Sequence, residues 1–202
     1  MMMDIPDDLA PENYPLAWLV GCWHGGGVLE YENVPAAAYL HELHIDASDG
    51  GPYVYINSRI WLANEPASDV NKECSGISTW EQLGKRELWS AAAGYLRVNP
   101  TVDQQSDGSY ALEAMLASPA GTSQILVGLV RGGQLHVVTD VLARSAAGAN
   151  VNSAAIRARH IDSDLLYSYD MEAFGFPMSS YMAGRLTRQM NADGSKTRCG
   201  RQ

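Results

Sequence analysis

The chain has 202 residues, of which 46% are hydrophobic and 18% are charged, and its formal net charge is −9. This length and composition indicate one globular domain. Nucleic-acid binding requires a basic surface, so the acidic balance excludes a nucleic-acid partner, and it disfavours anionic membranes. The apolar runs are shorter than the roughly 18 residues that span a bilayer, and the acidic N-terminus is unlike a secretory signal. We therefore expect a cytoplasmic protein without a membrane partner.

The cysteines also limit the class of protein. Cys22, Cys74 and Cys199 are odd in number and far apart in the sequence, which argues against a disulfide framework and against a zinc site. We expect Cys22, which stands beside a tryptophan, to be an inert small hydrophobic residue.

Short segments in which apolar and polar residues alternate recur along the chain, separated by Gly, Pro, Asn and Asp. They cover residues 53–62, 110–116, 123–130, 134–143 and 165–172. A period of two residues in segments of this length predicts an antiparallel all-β protein. Several segments are apolar on both faces, which indicates a partly covered sheet or a barrel around an apolar cavity.

Helix signals are few. Residues 36–45 have the propensity of a helix, and Ser78 with Glu81 has capping-box spacing, which predicts a short helix within residues 78–88. From about Met190 the apolar pattern stops, and we expect residues 190–202 to be a disordered tail.

A glycine-rich segment, Gly21-Cys22-Trp23-His24-Gly25-Gly26-Gly27, follows the apolar run of residues 16–20. A phosphate-binding loop would lead into a helix, whereas this segment leads into a predicted strand, so the pattern disfavours a nucleotide site. Alternate glycines in a strand indicate close approach of the backbone to a neighbouring element or to a flat ligand. Trp23 would then plug one end of the core or form a wall of a pocket.

These residues carry a resemblance to a known family. Gly21-x-Trp23-x-Gly25-x-Gly27 resembles the G-x-W-x-G-x-G strand of the nitrobindins. Further segments match the family's pattern in the same order over residues 14–188: Gly51-Pro52-Tyr53-Val54-Tyr55, Gly94-Tyr95-Leu96-Arg97, Leu166 to Met171, Gly175-Phe176-Pro177-Met178 and Met182 to Arg188. The resemblance implies a single antiparallel β-barrel of about ten strands, similar to the lipocalins and fatty-acid-binding proteins.

The same resemblance implies domain bounds. The barrel would cover residues 12–189, with residues 1–11 as an N-terminal extension and residues 190–202 as the tail. The N-terminal segment would cap one end, and an insertion at about 64–87 would lie outside the barrel.

The resemblance also implies a cofactor site. Nitrobindins bind haem, and several are assigned peroxynitrite isomerase activity. The motif residues Gly21, Trp23, Gly25 and Gly27 would line the pocket. The family's axial histidine would fall at Tyr181, and a histidine that the family often has ahead of its G-[FY]-x-R strand is replaced by Trp89.

Loss of the axial histidine leaves two interpretations of Tyr181. Phenolate ligates ferric haem in some proteins, but the pKa of a free phenol is near ~10 and a nearby cation must lower it. Strand alternation places Arg185 on the same side as Tyr181, yet a regular strand would turn Tyr181 away from the apolar face of Met182 and Leu186. Alternatively, Tyr181 closes a barrel that is empty or holds another ligand.

The histidines favour no catalytic or metal site. Alternation places His44 with Glu42 and Asp46, but not with His41, which indicates a solvated strand face rather than a metal cluster. We expect His24 to lie on the surface, although it is the best alternative candidate for a haem ligand. Ten Tyr and five Trp against two Phe favour a lumen suited to a planar or amphipathic ligand.

We therefore predict a ferric nitrobindin-like barrel of unassigned activity, not an enzyme, with haem b weakly bound or absent and a small apolar or planar molecule in the barrel. The alternative is a haem protein that reacts with nitric oxide or peroxynitrite, with Tyr181 or another residue as iron ligand. A third hypothesis is a ligand-free barrel that serves a partner protein through its surface. The sequence also leaves a homodimer open.

Overall fold

The computed structural model describes residues 5–6, 8–47 and 50–190, and these form a closed barrel of ten antiparallel strands. Each strand pairs with the next, and β1 pairs with β10 to close the barrel. The strands are β1 (Gly21–Tyr31), β2 (Val34–Asp46), β3 (Val54–Ala63), β4 (Lys85–Val98), β5 (Tyr110–Ser118), β6 (Thr122–Arg131), β7 (Gln134–Arg144), β8 (Val151–Ile161), β9 (Asp164–Ala173) and β10 (Phe176–Arg188). The predicted fold class is confirmed.

The described helices are short. They are two 3-10 helices, Pro11–Leu16 and Ala67–Asp69, and the α-helix α1, Gly76–Gln82. Helix α1 begins before the predicted Ser78 because Ser75 is its cap, with Oγ accepting the Ser78 N–H at 3.3 Å. Residues 36–45 lie in β2 instead, because pairing with β1 and β3 outweighs their helix propensity. No helix of the described ranges is long and apolar enough to cross a membrane.

One end of the barrel is filled by the segment that precedes β1. Leu16 and Trp18 pack with Trp23 in the largest core cluster, and Trp23 is fully buried. The Trp23 indole N–H donates to the Leu19 carbonyl at 2.8 Å, and the Arg188 guanidinium lies 4.4 Å from the centre of its ring. We call this the closed end, since apolar side chains fill it.

The opposite end, which we call the mouth, is where β1 turns into β2 and β9 turns into β10. The segment between β3 and β4 starts there and carries α1 along the outer face, against β1 and β10. The Ile77 N–H donates to Thr187 Oγ1 at 2.9 Å, which fixes α1 to β10. This part of the predicted insertion therefore lies outside the barrel. Apart from Met190, the predicted tail of residues 190–202 lies outside the described residues.

Two motif glycines allow the barrel to close. A Cβ atom added at Gly27 would lie 2.0 Å from the Ala183 carbonyl oxygen, and one at Gly25 would lie 2.1 Å from that of Arg185. Both contacts are far inside van der Waals distance, and both are with backbone that cannot move aside. The close approach that the glycine pattern indicates is therefore an approach of β1 to β10.

The cysteines differ from expectation. Cys22 is disulfide-bonded, so its interpretation as an inert hydrophobic residue was wrong. Cys74, in the segment before α1, is free and half-buried. Spacing alone gave no signal for this pairing, because the number of cysteines is odd.

Replacement of Gly27 tests the closure of the barrel. We expect Gly27→Ala to lower the free energy of unfolding by about 3 kcal/mol or more, because the new methyl group overlaps the backbone of β10. Urea unfolding measures the change. Gly84→Ala is the control, since a Cβ there meets the end of the Asn64 side chain rather than backbone. An equal loss of unfolding free energy in Gly27→Ala and Gly84→Ala would contradict a close contact between β1 and β10 at Gly27.

Candidate functional site at the barrel mouth

Tyr181 faces the lumen because β10 is irregular at this point. The pairing register with β9 shifts between Ser180 and Met182. Such a bulge turns two consecutive side chains to one face, so Tyr181 points inward together with buried Met182. Its ring packs edge-to-face on Tyr31 and Tyr169, with centroids 6.1 and 6.0 Å away. The direction of Tyr181, which strand alternation left open, is thus set by the bulge.

The same bulge separates Tyr181 from Arg185. Arg185 is directed to the outer face, where its Nε donates to Asp164 Oδ2 at 2.5 Å. Asp164 also accepts the Thr187 hydroxyl at 2.6 Å, so this buried carboxylate holds Arg185 in place. The expected approach of Arg185 to the phenol of Tyr181 does not occur.

Trp89 is the direct partner of Tyr181. In β4, Ser90 pairs with Ile60 and Leu88 pairs with Trp61, so Trp89 stands at a second register shift. Its indole N–H donates to the Tyr181 hydroxyl at 2.5 Å. Because β4 and β10 are not neighbours in the barrel, this hydrogen bond bridges the mouth. The two positions at which we expect the sequence to depart from the family pattern are therefore in contact.

A cavity of about 690 Å³ lies beside this end, and most of its lining comes from the outer faces of β1 and β10 and from the segment before α1, including Glu30, Lys72 and Arg185. The inward residues Gly27, Tyr31, Tyr167, Tyr181 and Met182 border it as well. Of the other motif residues, Trp23 is packed in the closed end and Gly25 lies against the backbone of β10. Neither they nor Gly21 belong to the lining of this cavity.

Beneath the mouth, four polar side chains form a continuous hydrogen-bonded chain across the lumen. The hydroxyls of Tyr39 and Tyr167 are 2.7 Å apart, and the Tyr167 hydroxyl is 2.7 Å from His41 Nδ1. His41 Nε2 is 2.9 Å from Ser58 Oγ. We call this set the polar chain. Tyr167 reaches it from β9, whereas the other members lie on β2 and β3, so the polar chain links these strands past β1 and β10, which lie between them.

Burial keeps the polar chain uncharged. Removal from water lowers the pKa of His41 from 6.5 to about 3 and raises the pKa of both tyrosines. His41 is only 5% exposed, so it does not share the outer face of β2 with Glu42 and His44. Alternation did place His41 apart from Glu42 and His44, and this was the signal that it faces inward with Tyr39.

The other histidines lie away from Tyr181. The His24 ring stacks on Trp80 of α1, outside the barrel, at a centroid distance of 4.4 Å. His160 lies 6.2 Å from the rings of Trp18 and Trp23 at the closed end. His44 and His136 are on outward positions of β2 and β7. Among the described residues, no group of three or more His, Cys, Asp or Glu side chains suits a metal ion.

These side chains do not fit an iron-ligated haem. Tyrosinate ligation requires loss of the phenol proton, but burial raises the pKa of Tyr181. The Trp89 hydrogen bond lowers this pKa in turn, and among the described residues no basic side chain lowers it further. The hydroxyl is itself occupied by Trp89, and both ring nitrogens of His41 are occupied within the polar chain.

The fold defines a ten-stranded antiparallel barrel of the lipocalin type. Residues 12–188 match the family model described as the THAP4-like, heme-binding beta-barrel domain. The chain belongs to this family, that of the nitrobindins.

Several known proteins are similar to this chain in sequence. The chain is 34% identical to a "Ferric nitrobindin-like protein" of Beutenbergia cavernae, over 93% of this chain and 99% of that protein. It is 35% identical to a "Peroxynitrite isomerase" of Parafrankia sp., over 90% of this chain and 81% of that protein. A crystal structure of Rv2717c from M. tuberculosis, 24% identical, superposes with a TM-score of 0.69 over 90% of this chain and 99% of that one, which supports the fold.

The low pKa of His41 predicts a pH dependence of stability. Between pH 6.5 and about 3 the unfolded chain binds a proton at His41 and the folded chain does not. The free energy of unfolding therefore falls as the pH falls, by up to about 1.4 kcal/mol per pH unit from this group. Urea unfolding at pH 6.5, 5.5 and 4.5 should show a smaller slope for His41→Gln than for the parent.

His136→Gln is the control, since His136 is exposed on the outward side of β7. It should keep the parent's slope. Equal slopes in the parent and His41→Gln would contradict burial of a neutral imidazole.

Proposed function

We propose that this nitrobindin-family barrel holds a small planar apolar molecule at its mouth and does not perform haem-iron chemistry. The hydrogen bond from Trp89 to Tyr181 carries the proposal. It engages the one phenol at the family's ligand position and joins it to the second departure from the family pattern. With this bond in place, the oxygen of Tyr181 is committed to a protein donor rather than to a metal ion.

The walls of the lumen favour a flat apolar ligand. Tyr31, Tyr169 and Tyr181 form a cluster of edge-to-face rings at the mouth. Leu29, Ile60 and Met182 pack against the tyrosines as an apolar wall. Aromatic rings offer large apolar faces and bind other flat molecules with little loss of side-chain entropy.

A haem protein with peroxynitrite isomerase activity is the second candidate function. It is favoured by the names of relatives such as that of Parafrankia sp., and by the inward direction of Tyr181. For Tyr181 to act as ligand, the Trp89 bond would have to break and the phenol would have to lose its proton against burial. Both requirements cost free energy that a histidine at this position would not, because a neutral imidazole binds iron directly.

A variant at the family's ligand position tests the proposal. We expect Tyr181→His to bind hemin at least about tenfold more tightly than the parent, because one metal–imidazole bond replaces a protonated phenol. Titration followed in the Soret region should give a sharp five-coordinate ferric band for the variant and a broad, unshifted band for the parent.

Tyr95→His is the control, since Tyr95 lies exposed on the outer face of β4. It should behave as the parent does. Saturation of the parent at one equivalent with a sharp, shifted band would contradict the proposal and favour the haem-protein function.

A further inference from the structure

We infer that the ligand of this barrel is an uncharged aromatic alcohol of the phenol class, whose hydroxyl group binds Ser58 at the open end of the polar chain. The inference rests on the proposed function, because it needs a ligand-binding lumen, and it adds the chemical class of that ligand. Three features of the polar chain support the inference. Solvent reaches one of its ends and not the other, its hydrogen bonds leave Ser58 able to donate or to accept, and the described inward positions around it carry no charged side chain.

The two ends of the polar chain, Tyr39 and Ser58, differ in their exposure to solvent. Tyr39 is fully buried, and its hydroxyl lies so close to Gly184 that an added Cβ there would be 2.5 Å away. Ser58 is only half-buried, although its hydroxyl points inward to His41. Ala92, its pairing partner on β4, is also half-buried, as are Ser90 and Tyr169 nearer the mouth. Ser58 is therefore the end of the polar chain that solvent reaches.

The protons of the polar chain make Ser58 both a donor and an acceptor. A neutral imidazole has one N–H and one acceptor nitrogen, and each hydroxyl has one proton to donate. If Tyr39 donates to Tyr167 and Tyr167 to His41, then His41 Nε2 donates to Ser58, and the Ser58 proton is available to a ligand. If every bond is reversed, Ser58 donates to His41 and its oxygen is available as acceptor. A ligand hydroxyl matches either direction.

Charge around the lumen excludes acids and amines. At the inward positions between Ser58 and Tyr181, the described strands carry no charged side chain. The nearest charge on β4 is Glu87 at the rim, whose side chain is 63% exposed and paired with Arg86. Arg188 lies at the closed end, over Trp23. A buried carboxylate or ammonium would lose its hydration without a partner, which costs far more than burial of a hydroxyl.

A series of three naphthalenes tests the inference. We would measure binding of naphthalene, 2-naphthol and 2-naphthoate to the full chain by equilibrium dialysis at pH 7. We expect 2-naphthol to bind roughly fivefold more tightly than naphthalene, the increment of one net hydrogen bond, and more tightly than 2-naphthoate by a larger factor.

Ser58 variants locate the contact. Ser58→Ala should remove the advantage of 2-naphthol over naphthalene, and Ser58→Thr, which keeps the hydroxyl, should retain it. Ser168→Ala, on the outer face of β9, is the matched control and should behave as the parent does.

Two results would overturn the inference and leave the proposed function standing: equal binding of naphthalene and 2-naphthol, or tightest binding of 2-naphthoate. An unchanged preference for 2-naphthol in Ser58→Ala would also overturn it, since the hydroxyl would then bind elsewhere. Failure of all three compounds to bind the parent would overturn the proposed function together with the inference.

Discussion

Backbone contact between the first and last strands is the constraint on which the rest of this barrel depends. Gly25 and Gly27 let β1 lie against β10 at distances that no side chain would allow. This contact closes the sheet and fixes the register of β10 up to Met182. The extra residue of β10 is then accommodated at the mouth, between Ser180 and Met182. The glycines thus act on the site indirectly, since the bulge beyond the paired region turns Tyr181 into the lumen.

The mouth shows how two expected departures from the family pattern are joined by one contact. Viewed singly, a tyrosine at the position expected for the axial ligand is a weak ligand, and a tryptophan elsewhere is an unrelated substitution. In the structure, each stands at a bulge of its own strand and they share a hydrogen bond across the lumen. Burial holds the phenol protonated, and the nearest arginine in sequence, Arg185, is held by Asp164 on the other side of the sheet. Geometry and electrostatics therefore both oppose iron ligation.

The fold followed from the sequence, whereas the site followed only in part. Period-2 segments and glycine breaks predict an antiparallel barrel, because they record which side chains face inward. A bulge breaks that period and leaves no local signal, so alternation alone turned Tyr181 outward. The polar chain was missed because His41 and Tyr167 are 126 residues apart, and their contact depends on strand order. The disulfide of Cys22 likewise depends on proximity in space.

The most direct test of the account is the indole N–H resonance of Trp89 in 15N-labelled protein, assigned with Trp89→Phe and recorded with and without one equivalent of hemin. With the hydrogen bond to Tyr181 in place, we expect a resonance that is shifted by that bond, altered in Tyr181→Phe, and left unchanged by hemin. Loss of the parent's Trp89 signal on hemin addition, together with a sharp Soret band, would contradict the account, because it would put ferric iron at Tyr181.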